Sequence, residues 1–395
     1  MRTPRPVAPP SDFLWRENFD TQAFLARVWQ RRPVVIRQAW QAWRNPLAPD
    51  DLAGLACQSE VESRLVLHNK RGWGLEHGPI PAVRFAHLPK TNWTLLVQAV
   101  CHYVPAVAQL RDAFRFLPAW RIDDVMVSYA ADGGGVGPHF DHYDVFLVQG
   151  LGQRRWQIGP RCDSNTALLG HEELRLLPGF TVQHDYVLDP GDILYLPAGF
   201  AHHGTASGDD CMTYSIGFRA PSRADLLGHW VDAVIDGLNE DDRYSDGALP
   251  PQTNSGEIDA TALTRLFDMV RGALSDTDAF AIWFGRFATT PKYPELLTVP
   301  RRALGADGFA ARLAHGARLQ REPASRLAFV RHGRSVTLFV DGDAIKCHGA
   351  AARWAVSLCA HTVGQNVLTA RPASAVLELA LDLYQRRALV FVRGR

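Results

Sequence analysis

Within Gly133–Trp156 the sequence reads GGGVGPHFDHYDVFLVQGLGQRRW, and His139 and Asp141 stand two residues apart. On an extended chain alternate residues face the same side, so an imidazole nitrogen and a carboxylate oxygen can share one ion. A third donor lies downstream at His202, in PGDILYLPAGFAHHG. There Pro190-Gly191-Asp192 and Pro197-Ala198-Gly199 read as turns around a short apolar strand, Ile193 to Leu196, and the second turn presents His202. His-x-Asp with a distant His is the two-histidine, one-carboxylate set of non-haem Fe(II) oxygenases. It leaves three coordination positions free, two for a bidentate 2-oxo acid and one for dioxygen. A solitary His-x-Asp more often marks a turn or a surface hydrogen bond. The glycine lead-in, the run Val145 to Val148, the Gly150–Gly152 turn with Arg154 and Arg155, and the later strand-turn-His together favour the metal reading.

Several neighbours compete for a role. His142 lacks the spacing to join His139 and Asp141 on one face, and His203 is the obvious rival to His202. His171 and His184 sit in looplike segments and read as surface residues. Asp132 precedes the glycines at the expected barrel mouth, where it either pairs with a cationic substrate or serves as a turn residue. In the strand Met212 to Phe218, Thr213 and Ser215 share one face; that polar stripe either lines a cavity or faces solvent.

The segments GGGVGPHFDHYDVFLVQGLGQRRWQIG, PGDILYLPAGFAHHG and TYSIGFRAPS resemble the Jumonji C family of 2-oxoglutarate oxygenases, and within it the bacterial ribosomal oxygenases. The likeness extends over nearly the whole chain and is strongest from Asp124 to Pro221. It implies His139, Asp141 and His202 as iron ligands and catalytic centre, with His202 preferred to His203 because the family motif ends Gly-Phe-x-His, as Gly199 to His202 does. It implies 2-oxoglutarate as co-substrate and dioxygen as oxidant. A guanidinium at Arg154 could grip the distal carboxylate in a bidentate pair, the alternative being surface ion pairs for both Arg154 and Arg155; family position favours Arg154, and the hydroxyls of Ser215 and Thr213, if their stripe lines the cavity, could donate to the co-substrate. Arg155, its strand neighbour, should point the other way. The resemblance further implies a homodimer that hydroxylates an arginine of a large-subunit ribosomal protein. Similar relatives hydroxylate histidine or demethylate lysine, and the motif is common to all three.

A chain of 395 residues exceeds what one core normally serves, so two or three domains are expected. The opening MRTPRPVAPPSDF has no apolar core segment, so no signal peptide is read there, and no run approaches a membrane span; cytoplasm is the expected location. Six scattered cysteines without a C-x-x-C pair suit a reducing compartment rather than a disulfide framework or structural zinc. Net charge is +1 but unevenly spread: residues 296–395 hold 15 Lys+Arg against 6 Asp+Glu, or +9, which leaves −8 for residues 1–295. An acidic front suits a basic partner.

The expected fold is α+β: a double-stranded β-helix of the cupin or jelly-roll kind, a helical dimerisation region, and a C-terminal domain that resembles a winged helix. The boundaries are read as 1–221, 222–292 and 293–395. Helices are expected over Asp20–Gln30, near Asp50, over Thr94–Tyr103 and Val107–Phe116, from an N-cap at Ser222, and near Ala260–Leu274 and Asp276–Phe287. Further helices are expected over Ala351–Ala360 and Ser374–Arg386. A +9 winged helix can hold nucleic acid, yet its arginines are dispersed, which favours docking or structure over sequence-specific reading. Two rival functions stay open: a non-catalytic cupin-type regulator that grips DNA, and a small-molecule cupin dioxygenase, for which two accessory domains would be superfluous.

Overall fold

The computed structural model of the chain describes residue 16 and residues 18–392, apart from 172, 250, 298–303 and 369–371. The opening stretch on which the signal-peptide reading rests lies outside the described residues. Among the described residues no helix is long and apolar enough to cross a membrane.

The first half contains α1 (Thr21–Arg27), β1 (Val34–Ile36), α2 (Pro49–Ala56), β2 (Ser63–Asn69), β3 (Gly72–His77), α3 (Ala82–Ala86) and β4 (Trp93–Val97). Then come α4 (Val100–Tyr103), α5 (Pro105–Ala108), β5 (Ile122–Ala130), β6 (Asp144–Arg161), β7 (His184–Leu188), β8 (Ile193–Leu196) and β9 (Phe200–Phe218). All nine strands join one sheet in the order β1-β8-β6-β9-β5-β4-β2-β3, with β7 paired to β6. The antiparallel pairing of β6 with β9 runs from Asp144↔Phe218 to Arg161↔Phe200 and forms the spine of the barrel.

Alternation along β6 divides two cores. Phe146 and Val148 pack outward with Phe24, Phe114, Tyr195 and Tyr214, against the N-terminal helices. Val145 and Leu147 point inward with Trp156, Ile158, Leu194 and Leu196. Where β6 begins, the fully buried Asp144 takes hydrogen bonds from Tyr195 Oη at 2.8 Å, Gln30 Nε2 at 3.0 Å and Arg121 Nη2 at 3.0 Å. Removing the cation would strand a buried carboxylate. Arg121→Ala is therefore expected to cost about 3–5 kcal/mol, read as a lower urea midpoint, whereas Asp144→Asn combined with it should recover part of the loss.

Three expectations need correction. The helix expected over Thr94–Tyr103 divides into the strand β4 and the single turn α4, because Trp93, Thr94 and Val97 favour extended backbone and both faces of β4 are covered. A strand buried on both sides shows a continuous apolar run, which periodicity alone cannot separate from a helix. The expected helix over Val107–Phe116 is α5 followed by a 3₁₀ turn, Gln109–Phe114. Likewise the Gly150–Gly152 turn is a bulge inside an unbroken β6, with register shifts at Gln149/Leu151 and Leu151/Gln153. Gly152 has φ +55°, and a Cβ on Gly150 would stand 2.5 Å from the Tyr214 ring.

Beyond the barrel lie α6 (Arg223–Ile235), α7 (Ala260–Leu274) and α8 (Thr277–Thr289), with the expected Ser222 N-cap present as a full capping box with Asp225. The chain ends in α9 (Ala306–Ala314), β10 (Arg318–Arg321), β11 (Leu327–His332), β12 (Ser335–Val340), β13 (Asp343–Cys347), α10 (Gly349–Ala360), α11 (Ser374–Gln385) and β14 (Leu389–Val392). Strands β11, β12 and β13 form one antiparallel sheet, and β10 pairs with β14. Asp341 and Gly342, both at positive φ, close the β12–β13 hairpin. Leu338, Ala355, Leu358 and Leu383 share a second core, and α8 lies so close on this unit that a Cβ at Gly285 would collide with the Phe339 ring. This is the winged-helix arrangement, with α10 and α11 where helices are expected from the sequence.

Candidate metal centre

Glycines bring the metal-binding segment into place. After β5 the chain runs back along β9, and a Cβ at Gly135 would strike the Gly204 carbonyl, while one at Gly137 (φ +82°) would meet Leu176 and Trp73 at 2.6 and 2.9 Å. Only glycine permits that approach. The segment then bridges β9 directly: His139 N–H donates to the His202 carbonyl at 3.0 Å, His202 N–H returns to the His139 carbonyl at 2.8 Å, and Gly199 N–H donates to the Asp141 carbonyl at 2.7 Å. Residues far apart in sequence are thus fixed as a backbone pair.

Their side chains converge. Ligand atoms of His139, Asp141 and His202 all lie within 4.8 Å of one another, and among the described residues they form the one such group. Asp141 Oδ2 stands 3.8 Å from His139 Nε2 and 3.7 Å from His202 Nε2. Each imidazole uses its Nδ1 on a backbone carbonyl, His139 on Gly137 at 2.9 Å and His202 on Phe200 at 2.8 Å. That bond fixes Nδ1 as the donor and leaves the Nε2 lone pair free for a cation. Burial, with His139 adding to it, pushes the His202 imidazole down to about 4, so it is neutral at pH 7 as a ligand must be. Two imidazoles and one carboxylate, with open positions around them, suit Fe(II).

The other sequence candidates separate clearly. His203 points away, its Nε2 3.4 Å from Thr205 Oγ1, and Thr205 rather than Asp141 is its partner. His142 is exposed against Phe140, His184 is exposed and stacked on Tyr186, and the His171 ring accepts backbone N–H groups of its own loop. Arg155 faces outward in an ion pair with Asp185. Asp132 is exposed, and its carboxylate accepts Gly208 N–H at 2.7 Å, which ties a turn to the β9 bulge; the structure does not bring it to the cavity.

Arg154 points inward and is buried, yet poorly satisfied. Among the described residues its Nε reaches only Cys211 Sγ at 3.4 Å and Nη2 has no partner, and its guanidinium lies 5.7 Å from the centre of the Trp156 ring. The same indole neighbours the His202 ring, with centroids 6.0 Å apart. A buried, uncompensated guanidinium one indole away from a facial triad fits a small carboxylate-bearing co-substrate that spans the two. Around it the wall is made of small side chains, Ala130, Ala206 and Cys211. Two further buried groups without partners among the described residues, Thr94 Oγ1 and Trp156 Nε1, belong to the same barrel; Thr94 pairs with Ala130 across β4 and β5. Sequence reasoning missed Thr94 because it read that stretch as helix; a threonine inside an apolar run was the available signal. Thr213 donates to Gln149 Oε1 at 3.1 Å, and Ser215 lies half-buried nearer the mouth.

A cavity of about 570 Å³ opens among Met126, Ser215 and Tyr143 from the barrel and Phe284 and Phe287 from α8; it reaches His142, the neighbour of Asp141 in the chain, but is lined by none of the triad. Asp123 and Asp124 stand at this mouth, paired to Arg219 at 2.5 Å and to Lys292 at 3.2 Å.

The JmjC domain family matches residues 109–226, and the ROXA-like winged helix matches residues 272–389. The ribosomal protein uL16 3-hydroxylase of Escherichia coli K12 is 42% identical over 270 residues, which cover 68% of this chain and 71% of that protein. The chain belongs to the Jumonji C ribosomal oxygenases. A probable ribosomal oxygenase of Haemophilus influenzae is 37% identical over 273 residues, or 69% of this chain and 64% of the relative. Among solved structures, E. coli YcfD, a ribosomal oxygenase, in complex with cobalt and 2-oxoglutarate superposes with a TM-score of 0.82 at 33% identity, over 96% of this chain and 99% of that one. A further E. coli YcfD structure gives 0.86 at 35% identity, over 96% and 100%. The fold expected for this ribosomal oxygenase, barrel and winged helix together, is the one observed.

Proposed function

We propose that this chain is an Fe(II)- and 2-oxoglutarate-dependent hydroxylase of an arginine in a large-subunit ribosomal protein. The observation that carries the reading is the pairing of a facial triad with the unpartnered, buried Arg154. Iron and 2-oxoglutarate, when bound with dioxygen, supply the oxidant as the oxo acid is decarboxylated to succinate. His139, Asp141 and His202 would hold the metal through Nε2 and carboxylate oxygens. Arg154 would take the distal carboxylate, and Thr94, with Thr213 and Ser215 on the neighbouring wall, would align the co-substrate along Trp156. The inward-facing apolar residues, Leu147, Ile158 and Leu196, exclude water from that space.

At the mouth, Asp123 and Asp124 supply the carboxylates that a substrate guanidinium can share, and Phe284 and Phe287 offer an aromatic wall for its aliphatic stem. The name of the E. coli relative points to uL16 as the substrate protein. A homodimer fits the apolar side chains left exposed on α6 and α7, among them Leu227, Leu263, Phe267 and Val270. The divisions at 221 and 292 and a cytoplasmic location belong to the same reading; nucleic-acid contact by the winged helix stays secondary to its docking role. Incubation with Fe(II), 2-oxoglutarate and air, followed by mass spectrometry of digested uL16, is expected to show one added oxygen on one arginine. An oxygen on histidine, or loss of methyl groups from lysine, would move the chain to the other branches of its family.

A further inference from the structure

A second cavity lies away from the metal centre, at the seam between the barrel and the winged-helix unit, and it is lined by four arginines. Arg111 belongs to the 3₁₀ turn Gln109–Phe114, Arg115 follows that turn, Arg321 ends β10 and Arg326 precedes β11. Against these four cations the lining offers two carboxylates, Asp112 and Glu322. Among the described residues the single ion pair within it joins Arg115 to Asp112 at 3.4 Å, and Asp112 also accepts Val363 N–H at 3.2 Å.

The guanidiniums are otherwise met by backbone carbonyls: Arg111 by Pro323 at 3.1 Å, Arg115 by Cys359 at 3.3 Å, Arg321 by His361 at 3.4 Å and Arg326 by Ile122 at 3.0 Å. Carbonyls satisfy N–H groups but cancel no net charge, so bringing four cations together costs Coulomb energy that nothing in the lining fully offsets. Arg321 is the extreme case, with one long hydrogen bond and no ion pair among the described residues. Burial, and then Arg111 and Arg115 beside it, lowers the affinity of its guanidinium for its proton.

We propose that this seam is a binding site for a phosphate-sized tetrahedral oxyanion, either free inorganic phosphate or the terminal phosphoryl group of a monoester. The cavity encloses about 100 Å³, and roughly 10–15 Å³ of such space already admits a water, so a five-atom anion fits. Guanidinium forks arriving from both structural units suit an anion with oxygens in several directions better than a planar carboxylate. Arg326 also donates to the Trp120 and Asp123 carbonyls, and Asp123 stands at the mouth of the active-site cavity. An anion in the seam therefore neutralises the arginines that join the winged helix to the wall of the mouth.

The test uses the full chain, with phosphate exchanged for chloride at constant ionic strength. Wild type is expected to melt progressively higher with millimolar phosphate and to bind it in calorimetry, while Arg321→Gln and Arg115→Gln each weaken binding at least about tenfold. With adenosine monophosphate as the second probe, equal binding assigns the site to monoesters and binding of phosphate alone assigns it to the free ion. No phosphate response in wild type at matched ionic strength, or an equal response in both variants, would overturn the proposal and leave the arginines as a clamp between two units.

Discussion

Asp141→Ala is expected to reduce Fe(II)-dependent turnover of 2-oxoglutarate by at least about 100-fold, and His202→Ala to do the same. The reason is geometric. Asp141 is the only acidic member of the triad, and its Oδ2 lies within 3.8 Å of both Nε2 atoms, so its loss would remove the one anionic donor and leave two imidazoles. Co(II) titration, which reads binding without turnover, should show the same loss. His203→Ala supplies the control, because its ring partners Thr205 and not Asp141; it is expected to retain metal binding. If His203→Ala abolished binding and His202→Ala did not, the two adjacent histidines would have to exchange roles. Full turnover in Asp141→Ala would remove the triad altogether.

What could be read from the sequence depended on how local each constraint was. The triad was legible because its spacing and its glycines are local requirements: alternate faces of extended chain for His139 and Asp141, and a Pro-Gly strand-turn before His202. Strand alternation required only that Arg154 and Arg155 face opposite ways; the family resemblance chose Arg154 as the inward one, and the structure pairs Arg155 with Asp185 as a surface residue should be paired. Long-range covering was not legible. Thr94 fell inside an expected helix because nothing local tells a strand buried on both faces from a helix, and its hydroxyl was lost to view with it. Gly150 and Gly152 look like a turn because a glycine bulge and a glycine turn use the same residues; what distinguishes them is the β9 partner, which pairs with β6 on both sides of the irregularity. Asp132 was drawn to the mouth by its place next to the glycines, yet Gly208, remote in sequence, claims its carboxylate.

The seam arginines were hidden for the same reason. Arg111 and Arg115 are separated from Arg321 and Arg326 by about two hundred residues, as the Arg111–Pro323 bond measures. In the sequence Arg321 and Arg326 add to the +9 of residues 296–395 and Arg111 and Arg115 fall in the acidic remainder, so nothing local brings the four together. Folding sets them face to face, and it gives the winged helix a cationic surface turned inward toward the barrel in addition to whatever it offers outward.

Arg154→Met is expected to raise KM for 2-oxoglutarate by about 10²–10³-fold, the equivalent of 2–5 kcal/mol for truncating one partner of a buried charge pair. At saturating co-substrate kcat should change far less, because under the proposed reading the residue would bind the end of the oxo acid remote from the reacting carbon. Arg154→Lys should recover part of the affinity as a point charge without the fork. Stability separates this role from a structural one. Without co-substrate, Arg154 is a buried cation whose Nη2 is unmet, so the methionine variant should melt no lower than wild type. With 2-oxoglutarate at about a hundredfold over its Kd and a redox-inert metal present, wild type should gain roughly 2.7 kcal/mol, and the variant should lose that gain. A variant that melted lower in the absence of co-substrate, yet kept the wild-type KM, would make Arg154 a core residue and would leave the distal carboxylate to Thr94 and its neighbours on the barrel wall.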